Sequence, residues 1–351
     1  MKKNSQQLLL LPEFQKFIVA SSTGRRLMPS GKRIRPGTIV QYHYTYLLLE
    51  TFEQQQPAPL RIQLLHRSSL RLIQKEKNYW NRFYKKFSFF LYSGKKYYDR
   101  YASHVFKMIK TFFNYLSVEK SLPVGEFHKK FRVHVENFTP VILSPVQLRY
   151  LILDKPFEAS LPRSLQRTKD IFVFGCTVAL RYKDLMQLKK DNIQYSPEST
   201  HVVLHTQKTG AEIKVPLPDY AIAIVKKYSK IAGRFVLPRI AGSNLNLQIK
   251  ILMKKAGWDY VIPKIRHKQN EPVEIKTKAG KPFRFYDHIT VHTMRRTAIT
   301  TLLLLGVEET FVRHISGHAP GSKEFYRYVV VVQDYLNVKV KEAHKRLLCA
   351  E

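Results

Sequence analysis

Apolar positions along this 351-residue chain change their spacing from one half to the other, and the change divides it. From Thr38 onward Ile39, Tyr42, Tyr46 and Leu49 recur at three and four residues, which predicts a helix with Thr38 as its cap. Gln54-Gln55-Gln56-Pro57-Ala58-Pro59 interrupts it. A second helical stretch carries Trp80, Phe83, Phe87 and Leu91 to a turn at Ser93-Gly94, and a third carries Tyr101, Val105, Ile109 and Phe112. No strand pattern intervenes, so residues 37–122 read as an all-α domain. Residues 1–36 are polar and basic and end in Ser30-Gly31-Lys32-Arg33-Ile34-Arg35-Pro36-Gly37, the composition of a flexible arm. Pro123, Gly125 and Pro140 mark residues 123–143 as a linker.

Residues 144–351 read as a second domain, opening where Ser144-Pro145 starts a helix. Asp170–Leu180 is apolar and helical, and Asp184–Lys190 predicts a further short helix. Between residues 201 and 216 the period drops to two. Val202 and Leu204 alternate with Val203 and His205, the turn falls at Lys208-Thr209-Gly210, and Ile213 and Val215 resume, which predicts a β-hairpin. A basic strand-like insertion occupies 264–290, and from His292 on helices are separated by Gly306, Gly317 and Gly321. In the tail, residues 333–351, Leu336, Val340 and Leu347 share one side and dock either on a neighbouring subunit or on the chain's own core. The second domain is thus α+β, mainly helical, with a small antiparallel sheet.

Charge narrows the function. Sixty Lys and Arg face 26 Asp and Glu, a formal +34, where a small soluble domain carries roughly 2–8. A field of that size calls for a polyanionic partner. Disorder is excluded, because 44% of the residues are apolar and 20 Tyr and 21 Phe supply material for cores. Residues 1–139 hold 25 basic and 8 acidic side chains and residues 140–351 hold 35 and 18, so the first part is the more densely basic. Basic and aromatic residues interleave there, as in Trp80-Asn81-Arg82-Phe83-Tyr84-Lys85-Lys86, which suits a helix that packs one face and lays the other on phosphates. Two cysteines, Cys176 and Cys349, are too few for a zinc cluster or a disulfide framework. No apolar run reaches the ~20 residues that span a bilayer, and a cytoplasmic, nucleoid-associated protein is expected.

Chemistry-bearing residues come in an ordered series in the second half. Arg181 follows the apolar helix in Ala179-Leu180-Arg181-Tyr182-Lys183-Asp184-Leu185, and Lys208 sits on the hairpin turn. His292 and Arg295 stand at i and i+3 of a helix start, and Ser316-Gly317-His318 precedes Phe325-Tyr326-Arg327-Tyr328-Val329. In this order, in so basic a chain, the series resembles the tyrosine recombinases of the phage integrase superfamily, specifically the integrases of Bacteroidetes mobile elements.

That resemblance, which spans residues from about 35 to the end, implies a core-binding domain built as a SAM-like helical bundle, followed by the recombinase catalytic domain. It implies DNA cleavage and rejoining through a 3′-phosphotyrosyl link, with no ATP, metal or other cofactor. Arg181 and Arg295 would hold the non-bridging phosphate oxygens, Lys208 would protonate the departing 5′ oxygen, His292 would relay the tyrosine proton and His318 would hydrogen-bond the phosphate. Asp184 would orient Arg181. The implied partner is double-stranded DNA at attachment or inverted-repeat sites, bound by a homo-tetramer.

Two departures stand out. Ala179 replaces the family's usual glycine, tolerable at a helix end unless φ is positive there. The usual separation from the Gly-His histidine to the nucleophile is about nine residues, whereas Tyr326 lies eight and Tyr328 ten after His318. Positions i and i+2 of a helix face about 200° apart, so one of the two tyrosines enters the pocket. The setting of Tyr328, between Arg327 and Val329, matches the family's better, and Tyr326 is the alternative. Competing activities are a type IB topoisomerase, which shares these residue types, and an architectural DNA-binding protein with a decayed site.

Overall fold

Leu10, Phe14, Phe17 and Ile18 sit at helical spacing, and in the computed structural model all four are buried. The segment expected to be a flexible arm therefore supplies core, its basic residues having masked an amphipathic helix. The structure describes residues 7–348 apart from 133–134, 136–139, 207–209, 211 and 232. Lys208 and Cys349 lie outside the described residues, as do the side chains of Leu336 and Leu347. The chain forms two units: Met1–Asn137 with Ile265–Ile275, and Phe138–Lys264 with Lys276–Glu351.

In the first unit β1 (Gln7–Leu9) leads into α1 (Leu10–Thr23) and α2 (Pro36–Glu53), and then come β2 (Arg61–Gln63), α3 (Leu70–Phe89) and α4 (Asp99–Asn114). β1 and β2 pair antiparallel with Leu8 opposite Ile62, so the unit is not purely α. Three-residue strands leave too little alternation to be read from sequence. α2 starts at Pro36 with Arg35 as its cap rather than at Thr38, since proline's fixed φ and missing N–H suit the first helical position. The core is aromatic: Trp80 meets Phe113 edge-on at 4.9 Å, and Phe83 stacks on Phe87 at 5.3 Å. Trp80 Nε1 donates to Glu76 Oε1 (2.9 Å), and Arg61 Nη1 donates to the other oxygen (2.6 Å), so the one buried acid of α3 is satisfied. Val124 and Phe131 join this core, with Phe131 stacked on Tyr84 at 5.5 Å. The connection between units consequently begins after Phe131 and not at Pro123.

The second unit opens with α5 (Pro145–Leu153), capped by Ser144 and Gln147 reciprocally, as Ser-Pro predicted. Then follow α6 (Lys155–Ser160), α7 (Arg163–Val178) and α8 (Tyr182–Met186), the last set earlier than the expected Asp184–Lys190. β3 (Ile193–Tyr195), β4 (Thr200–His205) and β5 (Glu212–Pro216) form an antiparallel sheet in that order, with Val202 opposite Val215 and Leu204 opposite Ile213. The hairpin is as predicted; β3 is an addition. Next are α9 (Asp219–Tyr228), α10 (Gly242–Lys255), the strand pair β6 (Lys264–Lys268) and β7 (Glu271–Ile275), and α11 (Phe285–His288). α12 (Val291–Leu304), α13 (Glu309–Ser316) and α14 (Lys323–Leu348) complete the chain. α7 is the central helix, buried along most of its length. Where it meets α12 it carries Gly175, and a Cβ there would stand 2.6 Å from Met294 Sδ, so glycine permits the close approach.

The β6–β7 turn, Gln269-Asn270, has positive φ at both residues, and its two N–H groups donate to Oδ1 and Oδ2 of buried Asp99 (2.8 and 2.9 Å). Residues 265–275 thereby belong with the first unit although their sequence neighbours belong to the second. No helix of the described residues is long and apolar enough to cross a membrane.

Candidate active site

α7 ends at Val178, and the next residue, Ala179, takes φ 55° and ψ 17°. The condition under which alanine is tolerable here is not met: the family's usual glycine position is left-handed, at a cost of about 1 kcal/mol to an L-residue. The reversed peptide aims the Ala179 carbonyl at α12, where it accepts a hydrogen bond from Arg295 Nη1 (2.9 Å). Arg181, two residues on, caps α8 with extended backbone. Its Nη1 is buried and finds no hydrogen-bond partner among the described residues. Asp184, in the first turn of α8, is buried at the same place.

Arg295 is 7% exposed, deep for a guanidinium. Burial, and then the charge of Arg181, pull its pKa down to about 10, while Tyr328, Asp184 and Glu324 pull the other way. It remains a cation at neutral pH. Besides the Ala179 carbonyl it faces His318, with Nη2 3.2 Å from each ring nitrogen. His292, one turn earlier on α12, is exposed.

His318 is set by the end of α13. Gly317 adopts φ 59°, and the His318 N–H returns to the Arg313 carbonyl (3.0 Å). Ile213 and Thr206, at the described ends of the β4–β5 hairpin, come within 3.6 Å of where a Gly317 Cβ would stand. The Lys208 turn itself lies outside the described residues.

α14 brings the two tyrosines to different places. Tyr328 is half-buried, with its ring edge-on to His318 at 6.0 Å and to Phe325 at 6.2 Å. Phe325, fully buried, also touches His318 at 5.4 Å and fills the third side of an aromatic triangle. Tyr326 is 48% exposed, and Arg313 lies over its ring at 5.2 Å, away from Arg295. The structure thus gathers Arg181, Asp184, Arg295, His318 and Tyr328, and leaves Tyr326 outside. Sequence reasoning quoted Ser316, Phe325 and Ala179 within the motifs but gave no role to the first two or to the Ala179 carbonyl. Phe325 was findable, three residues before Tyr328 on the same helical face; a backbone carbonyl leaves no such signal.

Two guanidiniums, one with an unsatisfied buried donor, form a preorganised hole for an oxyanion with a phenol and an imidazole beside it. Residues 162–333, which include all of these groups, match the phage integrase family. The chain is similar in fold to a lambda integrase dimer bound to a COC′ core site (14% identity over 92% of this chain and 77% of that one, TM-score 0.56). It is also similar to the Tn1549 transposon integrase in complex with circular intermediate DNA (14%, 92% and 95%, 0.55). A third likeness is to XerH site-specific recombinase bound to palindromic difH substrate in a post-cleavage complex (11%, 86% and 79%, 0.57). No curated protein sequence matches the chain.

Proposed function

We propose, from the match of residues 162–333 to the phage integrase family, that the protein is a tyrosine-type site-specific recombinase that cleaves and rejoins duplex DNA with Tyr328 as nucleophile. A free phenol titrates near ~10 and attacks poorly at neutral pH. Arg181 and Arg295 hold the non-bridging oxygens as charge builds on the phosphate, which lowers the barrier to attack by the phenol oxygen. His292 relays the phenol proton and His318 hydrogen-bonds the phosphate. Lys208 protonates the departing 5′ oxygen, and Asp184 keeps Arg181 in place. The product is a 3′-phosphotyrosyl link and a free 5′ hydroxyl, so the phosphoester bond energy is retained and a second strand's hydroxyl can reverse the step without ATP.

The observation that carries this reading is the imbalance at Arg295. Buried Arg295 and half-buried Arg181 share one neighbourhood, the buried Nη1 of Arg181 is unpaired among the described residues, and a half-buried tyrosine stands over the adjoining histidine. A phosphate diester supplies what the arrangement lacks. The solved lambda integrase tetramer is bound to a Holliday junction (14% identity, TM-score 0.52), and we extend that assembly to this chain, acting at the attachment or inverted-repeat sites of a mobile element in the nucleoid. The basic helical unit would hold the duplex through its phosphates.

The test is covalent capture. Incubated with a nicked attachment-site duplex and then denatured, the protein should carry DNA. Tyr328→Phe should lower the adduct at least ~10³-fold and Tyr326→Phe by no more than about 3-fold. No adduct from wild type would remove the recombinase mechanism, and loss only in Tyr326→Phe would reverse the assignment.

A further inference from the structure

Ser316 is fully buried at the last turn of α13, between the helix and His318. Its Oγ lies 2.6 Å from the Val312 carbonyl, 3.3 Å from the Arg313 carbonyl and 2.8 Å from His318 Nδ1. A hydroxyl has one proton, and carbonyl oxygens only accept. The proton therefore goes to the helix carbonyl, as serine does when it bonds four residues back, and an Oγ lone pair faces Nδ1. To complete that contact the ring must present Nδ1–H.

The second partner of the ring is compatible with that tautomer. Arg295 Nη2 is 3.2 Å from both ring nitrogens, and a guanidinium only donates. With a proton already on Nδ1, the atom that can receive Arg295 is Nε2. We propose that Ser316 is a positioning residue that fixes His318 as the Nδ1–H tautomer, so that Nε2 is the nitrogen that gains and loses a proton at the active site.

This rests on the reading that His318 meets the scissile phosphate, and it refines what His318 does there. In the neutral ring Nε2 carries no hydrogen, so it cannot donate to a phosphate oxygen until it has taken one. When the phosphate draws Arg295 away, the freed lone pair is an acceptor for the Tyr328 phenol proton, alongside His292. The phenol O–H bond breaks and N–H forms at Nε2, then the Tyr328 oxygen bonds to phosphorus as the P–O5′ bond breaks. The 5′ oxygen takes its proton from the general acid. His318, now cationic, donates Nε2–H to a non-bridging oxygen, and rejoining returns the proton to Tyr328. Phe325 and Tyr328, edge-on to the ring, limit its rotation.

Long-range ¹H–¹⁵N correlation on the histidine-labelled full chain, assigned with His318→Gln and recorded above the ring's titration, reads the tautomer directly. Wild type should show a protonated Nδ1 and a bare Nε2. Ser316→Ala should shift the population toward Nε2–H and slow adduct formation about 10- to 100-fold, and Ser316→Thr, which keeps the hydroxyl, should recover both. An Nε2–H ring in wild type, a tautomer unchanged in Ser316→Ala, or a changed tautomer with an unchanged adduct rate would each overturn the proposal. Absence of any wild-type adduct would instead defeat the recombinase site, and the tautomer spectrum would still be interpretable.

Discussion

α7 carries a cluster of buried charge toward each end, and the two are built to opposite plans. Toward its start Lys169 and Asp170 meet Glu158 of α6 and Lys227 of α9. Lys169 Nζ reaches Asp170 and Glu158 at 3.1 and 3.3 Å, and Lys227 Nζ reaches the same two acids at 2.7 and 3.2 Å. Tyr228 donates to Asp170 Oδ2 at 2.8 Å. The two carboxylates are balanced by Lys169 and Lys227, with exposed Lys155 a further contact to Glu158 Oε2 (3.3 Å), and each oxygen has a partner. Past its other end the charges of Arg181 and of buried Asp184 both act on Arg295, one guanidinium nitrogen has no partner among the described residues, and the backbone between helices is strained at Ala179. A satisfied cluster fastens helices together; an unsatisfied, positively biased one is poised for a ligand of the opposite charge.

Breaking the first cluster should cost the most stability. Asp170→Ala leaves Lys169, itself 5% exposed, and Lys227 with Glu158 as their one remaining shared acid and takes the acceptor from Tyr228, and should lower the unfolding free energy by about 3–5 kcal/mol in a denaturant titration. A loss below ~1 kcal/mol would mean that water already satisfies these lysines.

Acid should sharpen the same contrast. Burial by itself would raise the Glu158 carboxyl, but Lys169 and Lys227 together hold it down to about 2, below its ordinary 4.5. The folded state thus binds this proton less readily than the unfolded one. The stabilisation is complete above pH ~4.5 and disappears as pH falls toward ~2, about 1–2 kcal/mol for a carboxyl that is partly solvated. Glu158→Gln should flatten that limb of the stability–pH curve, and an unaltered limb would contradict the assignment.

Smallest is the strain in the second cluster. Ala179→Gly relieves a left-handed alanine but loses a buried methyl, so a net gain of about 0.5–1 kcal/mol is expected by thermal unfolding. A loss would show that the methyl's packing outweighs the backbone term.

Much of this was legible in the sequence, in proportion to how local each signal is. The long helices announced themselves through Trp80, Phe83 and Phe87 or Val105, Ile109 and Phe112, and the β4–β5 hairpin through the alternation at 202–215. The order Arg181, Arg295, His318, Tyr328 is legible as the basis of the proposed chemistry because each residue type would have a distinct task on a phosphate. What escaped depends on partners distant in sequence. The β1–β2 pair is three residues per strand and joins positions more than fifty apart. Residues 265–275 leave their sequence neighbours and belong to the first unit, where the N–H groups of Gln269 and Asn270 bond Asp99. The first helix hid because Lys16, Arg25 and Arg26 around it resemble an arm, whereas Phe14 and Phe17 between them are core. Ser316 looked like an ordinary helix-terminal residue until its hydroxyl was found between Val312 and His318.

The central claim is that the Arg181 guanidinium of the second cluster is held ready for a phosphate and contributes nothing to holding the fold. Arg181→Met, which keeps the aliphatic stem and removes the charge, tests it most directly when denaturant unfolding and covalent DNA capture are measured on one preparation. Relief of repulsion with Arg295 and loss of an unpaired donor should leave stability unchanged or raise it by up to ~1 kcal/mol, while the DNA adduct falls at least ~10²-fold. A variant destabilised by about 2 kcal/mol or more that still forms the adduct would make Arg181 a structural fixture, contradicting the account.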